Sequence, residues 1–253
     1  WVEAVANRRE YIETQLTSGS PIAAVGCREG ILFVTLGRTR QKLFEIYDRI
    51  AMGAIGHPGD IERLRMAVIE LASTEGFTRS AADVSLRRLA YYSLSPMLKA
   101  AFEQIYGAPY LARMLFAEIG DVPENDLFLR VDYDGSIATS GAMLADARQD
   151  FGVLSGTTGS SGLMESFLSR EHEAGATLAR ALSTAVDAWT VGSMALGENG
   201  VRELPDTAAI ATERAKQLGS AVVEAAILER DSSRAIRYRA LTREETQPLL
   251  AQQ

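Results

Sequence analysis

The sequence predicts an α+β fold of four layers, an αββα sandwich in which stacked sheets lie between outer layers of helices. Two observations support this fold class. Strand patterns occur in consecutive blocks joined by short turns, and helical patterns occur in pairs between those blocks rather than in alternating βαβ units. The 253 residues are 47% hydrophobic and 23% charged, so we expect a single domain over residues 1–253 with a sizeable apolar core.

An N-terminal helix and four strands are predicted first. Residues 3–17 place apolar side chains among charged ones at helical spacing, and Gly19 and Pro21 end the pattern, which assigns residues 1–19 to this helix. The runs PIAAVG and GILFVTL are separated by CREG, which is typical of two buried strands joined by a turn. The runs KLFEIY and RIAMGAIG repeat this arrangement.

A pair of helices and a second block of strands are predicted next. Pro58 fits the first turn of a helix, and Gly76 ends the apolar pattern that follows it. Residues 80–83, with the sequence SAAD, resemble the N-cap of a second, longer helix that extends towards Tyr106. The strand pattern then returns in ARMLFAEIG, DLFLRVDYDG and SIATSG.

Two further helices, a loop and the last strands complete the prediction. The helices begin at SGTTGSSGLMESFLSREH, divide near Gly175 and end near Gly192, so the sandwich covers residues 20–195. Residues 196–219 lack a clear period and predict an irregular loop. In residues 220–253, the runs SAVVEAAILE and RAIRYRAL predict the last strands. Thr242 and Glu245 then form a capping box, which predicts the start of a short C-terminal helix.

Composition limits the classes of function. No apolar run is long enough to span a bilayer and no signal peptide is evident, so we expect a cytoplasmic protein without a membrane partner. The only cysteine, Cys27, excludes an intrachain disulfide, and with two histidines leaves few soft metal ligands, so we expect neither a metal nor another cofactor. A net charge of −7 argues against nucleic-acid binding. Because the sequence begins at Trp1 rather than Met, we expect the natural chain to extend further.

Five stretches, in this order and spacing, resemble proteasome core-particle subunits, and in particular the actinobacterial-type α-subunits. They are GSPIAAVGCREGILFV, QKLFEIYDRIAMGAIG, YDGSIA, SGTT and VVEAAILERDSSRAIRYRAL. The resemblance extends from about residue 5 to residue 250. It implies the four-layer N-terminal-nucleophile-hydrolase fold. It also implies seven-membered α-rings that cap rings of β-subunits, which carry the protease.

The residues argue that this chain is not itself a protease. An N-terminal nucleophile needs a freed α-amine as base, a nearby cation and a carboxylate that orients the cation. Ser20 and Lys42 match the positions of nucleophile and cation, but Leu36 stands where a catalytic subunit carries its acid. In the later helix, Ala179 aligns with a position at which catalytic subunits carry a second acidic residue. Since the segment before Ser20 predicts a helix rather than a removable propeptide, we expect no catalytic residue and regard Ser20 as a vestigial nucleophile position.

The resemblance gives Lys42 another role. In α-subunits the matching lysine lies in a pocket between neighbouring subunits, where it pairs with the C-terminal carboxylate of an ATPase activator's tail. A flexible ammonium suits a terminal carboxylate, and Gly56 matches a glycine that lines this pocket. The alternatives are an exposed lysine at a strand edge and an ordinary glycine at a bend.

The function implied by the resemblance is that of a non-catalytic α-type subunit. Its ring would gate substrate entry and dock a ring-shaped ATPase activator, which in such bacteria usually delivers proteins tagged with a small ubiquitin-like protein. The expected partners are identical α-subunits, proteasome β-subunits and the activator's C-terminal tails. Two alternatives stay open: a catalytic relative that uses Ser20 as nucleophile, and a stand-alone structural or adaptor homologue.

Overall fold

The computed structural model describes residues 2–38, 40–104, 106–141 and 149–251. The chain opens with α1 (Val2–Leu16), β1 (Ile22–Cys27), β2 (Gly30–Gly37), β3 (Leu43–Tyr47) and β4 (Ile50–Gly56). A helical block follows, with α2 (Pro58–Thr78), α3 (Leu86–Leu89), a π-helical turn (Ala90–Leu94) and α4 (Ser95–Glu103). The next strands are β5 (Ala112–Glu118), β6 (Leu127–Val131), β7 (Ile137–Gly141) and β8 (Phe151–Leu154). The last elements are α5 (Thr158–Glu171), α6 (Leu178–Met194), α7 (Thr207–Leu218), β9 (Val222–Glu229), β10 (Tyr238–Leu241) and α8 (Arg243–Ala251).

The described strands form two five-stranded sheets in which every neighbouring pair is antiparallel. One sheet has the order β10-β9-β2-β1-β8, and the other has the order β3-β4-β5-β6-β7. The strand β9 therefore returns from the C-terminal part of the chain to pair with β2 along its whole length. The predicted single-domain boundaries, Trp1 and Gln253, lie outside the described residues.

Apolar side chains on both faces of the sheets create the four layers. In β2, Phe33 faces the opposite sheet, whereas Leu32 and Val34 face the helices α5 and α6, because successive strand residues point to opposite faces. The outer face of the second sheet packs against α2, α3 and α4 through residues such as Met52 and Phe116. Helices thus cover both outer faces, and the predicted αββα fold class is confirmed.

The helix α1 is anchored to the sandwich by apolar packing and by one buried arginine. Ile12 and Leu16 are buried with Phe102 and Tyr133. The guanidinium of Arg113, on β5, donates to both carboxylate oxygens of Glu13 at 2.7 and 2.6 Å. It also binds the Asp132 carboxylate at 2.8 Å and the Gly156 carbonyl at 2.9 Å, while the Tyr133 hydroxyl donates to Glu13 at 2.6 Å. This network joins α1, β5, the turn after β6 and the segment between β8 and α5.

The segment 196–219, predicted to be an irregular loop, contains the helix α7, so the prediction is wrong for residues 207–218. The carboxylate of Asp206 caps this helix by accepting from the N–H of Ala209 at 2.7 Å. Ile210 is its only fully buried residue, and it packs in the cluster beneath α6. Because α7 buries only this one residue, its sequence lacks the regular helical spacing of apolar residues on which the prediction depends.

Two other boundaries and one strand differ from the prediction. Ser80 caps only a short 3₁₀ turn, and the later helical block begins at Ser85, whose hydroxyl accepts from the N–H of Arg88 at 3.3 Å. The first helix of the pair continues past Gly76 to Thr78. The short strand β8 was not predicted. The predicted capping box before α8 is confirmed, since the Thr242 N–H donates to the Glu245 carboxylate at 2.8 Å.

Candidate functional site

One pocket, here called the lysine pocket, brings together Ser20, Lys42 and Gly56. It has a volume of about 580 Å³ and lies where the end of α1 meets the start of β3, the end of β4 and the start of α2. Its apolar walls include Leu16, Phe44, Ile55 and Ile61. Residues that are widely separated in the sequence therefore share one concave surface.

The backbone of Lys42 is fixed from two sides. Its N–H donates to both carboxylate oxygens of Glu224, on β9, at 3.0 and 3.1 Å, and the N–H of Leu43 donates to the same carboxylate at 2.9 Å. On the other side, the Lys42 carbonyl accepts from the N–H of Ala54, on β4, at 3.1 Å. The segment that carries Lys42 is thus clamped between the two sheets.

The ammonium group of Lys42 has no anionic partner in the described part of the chain. The side chain is half-buried, and no described carboxylate lies within the 4.0 Å of an ion pair. Burial lowers the pKa of Lys42 below its ordinary value, and the negative charge of Glu224 opposes this shift. A partly desolvated cation without an ion-pair partner favours the binding of an anion.

The charged side chains that line the lysine pocket are Arg40, Lys42 and Glu62, which together carry a net positive charge. Glu62 is engaged by Arg65, whose guanidinium donates to its two oxygens at 2.9 and 2.7 Å, and this hydrogen bond lowers the pKa of Glu62. Arg65 also lies over the ring of Phe44, 5.6 Å from its centroid. Arg40 lies exposed at the rim and forms no ion pair with a described residue. The charges available to a ligand are therefore those of Lys42 and Arg40.

Ser20 lies in the lysine pocket, but its hydroxyl is held by the fold. It donates to the Leu36 carbonyl at 3.1 Å and accepts from the indole N–H of Trp189 at 3.3 Å. The Leu36 side chain is buried in the cluster under α5 and α6. Since Gly19 precedes Ser20 in the chain, the nitrogen of Ser20 is an amide that cannot act as a base.

The alignment of Ala179 with the second acidic residue of catalytic subunits is wrong on geometric grounds. Ala179 lies in the first turn of α6, whereas the residue of α6 that reaches Ser20 is Trp189, ten positions later. At about 1.5 Å per residue, the two are roughly 15 Å apart along the helix axis. Ala179 therefore says nothing about catalysis at Ser20.

Gly56 lines the lysine pocket and has a backbone conformation that requires glycine. Its φ angle is 129°, and a Cβ at this position would collide with the Leu111 carbonyl and lie 2.8 Å from the Cα of Ala112. The close pairing of β4 with β5 is sufficient to explain this residue. The role of Gly56 in docking stays a prediction.

Sequence reasoning missed Glu224, the residue that fixes Lys42. The signal was a single acidic residue inside the otherwise apolar strand SAVVEAAILE. In the pairing of β9 with β2, Glu224 lies opposite Thr35, which brings its carboxylate to the start of β3.

Among the described residues, no group of three His, Cys, Asp or Glu side chains is arranged to hold a metal ion. None of the described helices combines the length and apolar character of a membrane span.

Two antiparallel sheets between helical layers, with Ser20 just before β1 and Lys42 just before β3, define a protein of the N-terminal-nucleophile-hydrolase fold. No family model matches the chain. It is 33% identical over 204 residues to the proteasome subunit alpha of a Parafrankia species, covering 80% of this chain and 79% of the relative. It is 33% identical over 234 residues to the proteasome subunit alpha of Actinosynnema mirum, covering 92% and 79%. The chain belongs to the actinobacterial proteasome α-subunit family.

Proposed function

We propose that the chain is a non-catalytic α-type subunit of the cytoplasmic proteasome core particle of a bacterium. In this role it forms an outer ring with identical subunits, stacks on proteolytic β-subunits, gates substrate entry and docks a ring-shaped ATPase activator. The observation that carries the docking role is the half-buried Lys42 ammonium, which lines a pocket and has no ion-pair partner among the described residues.

The chemistry of the lysine pocket suits the C-terminal end of a peptide. A terminal carboxylate would accept hydrogen bonds from Lys42, and the apolar side chains before it would pack on Leu16, Phe44 and Ile55. Pockets of roughly 300–1,000 Å³ hold small ligands, so a pocket of about 580 Å³ suits the last residues of a tail rather than a folded domain.

The packing of α1 supports a non-catalytic role. Catalysis by Ser20 would require cleavage of the chain before this residue, which would detach α1. The structure instead buries Ile12 and Leu16 and binds Glu13 to the buried Arg113. A segment with these contacts is an integrated part of the fold.

The test is a Lys42→Ala variant in core particles assembled with an actinobacterial β-subunit. We expect the affinity for an activator tail peptide to fall roughly tenfold or more, because a hydrogen bond to a charged group contributes about 1.5–3 kcal/mol. Fluorescence anisotropy of a labelled tail peptide gives the affinity, and stimulation of peptide hydrolysis gives the functional effect.

Lys216→Ala is the matched control, since Lys216 is an exposed lysine on α7, far in sequence from the lysine pocket. A tail peptide with an amidated C-terminus should bind wild-type particles as weakly as the acid peptide binds the Lys42→Ala variant. Unchanged binding of the acid peptide to Lys42→Ala would contradict the docking role.

A further inference from the structure

A second pocket, here called the arginine pocket, adjoins the lysine pocket. It has a volume of about 610 Å³ and lies between the segment before β3, the strands β9 and β10, and the start of α8. Three arginines line it: Arg38, Arg40 and Arg243. Arg40 and Gln41 line both pockets, so the two concave surfaces meet at these residues.

The three arginines are not neutralised by carboxylates of the described chain. All three are exposed, and none forms an ion pair with a described residue. The guanidinium of Arg243 lies 3.0 and 3.3 Å from the side-chain amide of Gln247, which is neutral. By contrast the nearby Arg239 binds the carboxylates of Glu229 and Glu245 at 2.7 and 2.6 Å. The arginine pocket is thus a local positive site on a chain whose net charge is −7.

The carboxylate that lines the arginine pocket, Glu224, offsets only one of the three guanidinium charges. Glu224 is occupied by the backbone N–H groups of Lys42 and Leu43. Tyr238 is engaged as well, since its hydroxyl donates to the Leu43 carbonyl at 3.2 Å. Among the described lining residues, the guanidinium groups therefore outnumber the carboxylates by three to one.

We propose that the arginine pocket binds a carboxylate side chain that precedes the C-terminus in the same activator tail. This inference rests on the proposed function, which places the terminal carboxylate at Lys42. An extended segment advances about 3.3–3.6 Å per residue, so a tail that crosses Arg40 and Gln41 passes from one pocket to the other. Planar guanidinium groups bind carboxylates in a bidentate manner, whereas the ammonium of Lys42 acts as a point charge. The two pockets together select acidic tails.

The test compares pairs of labelled peptides on intact core particles. Both peptides of a pair have a free C-terminus and differ only by glutamate or glutamine at one position, and each pair places this difference at another position before the terminal residue. We expect at least one glutamate peptide to bind roughly two- to fivefold tighter than its glutamine partner, the range of an exposed ion pair. This preference should disappear in an Arg38→Gln, Arg243→Gln double variant and should decrease at high salt. The affinity of the glutamine peptide should not change.

Arg202→Gln is the control, because Arg202 is exposed and lies outside both pockets. The proposal is overturned if wild-type particles bind the glutamate and glutamine peptides of every pair equally, or if the preference persists in the double variant and in Arg40→Gln. It is also overturned if the double variant weakens ring assembly instead, which would assign the pocket to contacts between subunits. Equal weakening of both peptides by Lys42→Ala supports the proposed function independently, and binding that Lys42→Ala does not change contradicts both.

Discussion

Lys42 depends on a residue 182 positions away in the sequence. Glu224 holds the backbone of Lys42 and Leu43, and its charge opposes the effect of burial on the pKa of the ammonium. Burial raises the pKa of Glu224 above its ordinary value, and the hydrogen bonds from Lys42 and Leu43 partly oppose this shift. Glu224 is thus a positioning residue for the proposed docking lysine.

The pH dependence of tail binding follows from the lowered pKa of Lys42. A tail carboxylate binds the ammonium and not the neutral amine, so affinity is full below this pKa and is lost as pH rises through it. Glu224→Gln keeps an oxygen that accepts from the two N–H groups but removes the charge that raises the pKa of Lys42. We therefore expect the alkaline midpoint of binding to move to lower pH.

The measurement is the anisotropy of a labelled tail peptide as a function of pH, with Glu62→Gln as the control. Glu62 lines the same pocket but already binds Arg65. The same midpoint in wild type and Glu224→Gln would show that Glu224 has no electrostatic effect on Lys42. Loss of binding at every pH would show that the charge is needed for the geometry.

At the scale of elements, Glu13 provides the polar contact that joins α1 to the buried Arg113, beside the apolar packing of the helix. Replacing Glu13 by Ala removes two charged hydrogen bonds from Arg113 and one from Tyr133. We expect the docking of α1 to lose about 1.5–3 kcal/mol, because hydrogen bonds to charged groups contribute about that amount. Limited proteolysis should then cut within α1 more rapidly than in wild type, while the sheets stay protected.

Glu10→Ala is the matched control, since Glu10 lies exposed on the same helix. Cleavage of α1 at the wild-type rate in Glu13→Ala would show that apolar packing of Ile12 and Leu16 is sufficient to hold the helix. Faster cleavage in both variants would indicate an effect on helix stability rather than on docking.

The elements that the sequence predicts well have wide apolar faces or strong end signals. Strands β1 and β2 are buried on both faces and read as continuous apolar runs, and α8 begins with a capping box that the structure confirms. The helix α7 was missed because one buried residue, Ile210, gives almost no period. The cap at Ser85 was missed because Ser80, five residues earlier, carries the same signal for a shorter turn.

At the scale of the whole molecule, the fold forms a pocket at Ser20, the position that the resemblance matches to a nucleophile. Ser20 lies in this pocket, but its nitrogen is an amide and its hydroxyl donates to a main-chain carbonyl. The resemblance located Ser20, Lys42 and Gly56, which the structure places in one pocket. Glu224 and Arg243 could not be located, because their positions depend on the pairing of β9 with β2 and β10.

An uncut chain in a stacked ring is the expected state after co-expression with an actinobacterial β-subunit. Intact mass should include the residues before Ser20, because α1 is packed against the sandwich. Ser20→Ala should give the same mass and the same peptidase activity of the complex. Loss of residues 1–19 would contradict the non-catalytic role, and failure to co-purify with the β-subunit would favour a stand-alone homologue.

The clamp on Lys42 also sets an order of events during synthesis. Lys42 and the other walls of the lysine pocket leave the ribosome early, but Glu224 arrives only with β9, near the end of the chain. Before β9 pairs with β2, the segment that carries Lys42 has no partner for its N–H groups on that side. The residues that line the lysine pocket all lie before α2 ends, whereas the clamp that fixes Lys42 is added only by β9. A nascent or truncated chain without β9 therefore lacks the carboxylate that positions the proposed docking lysine.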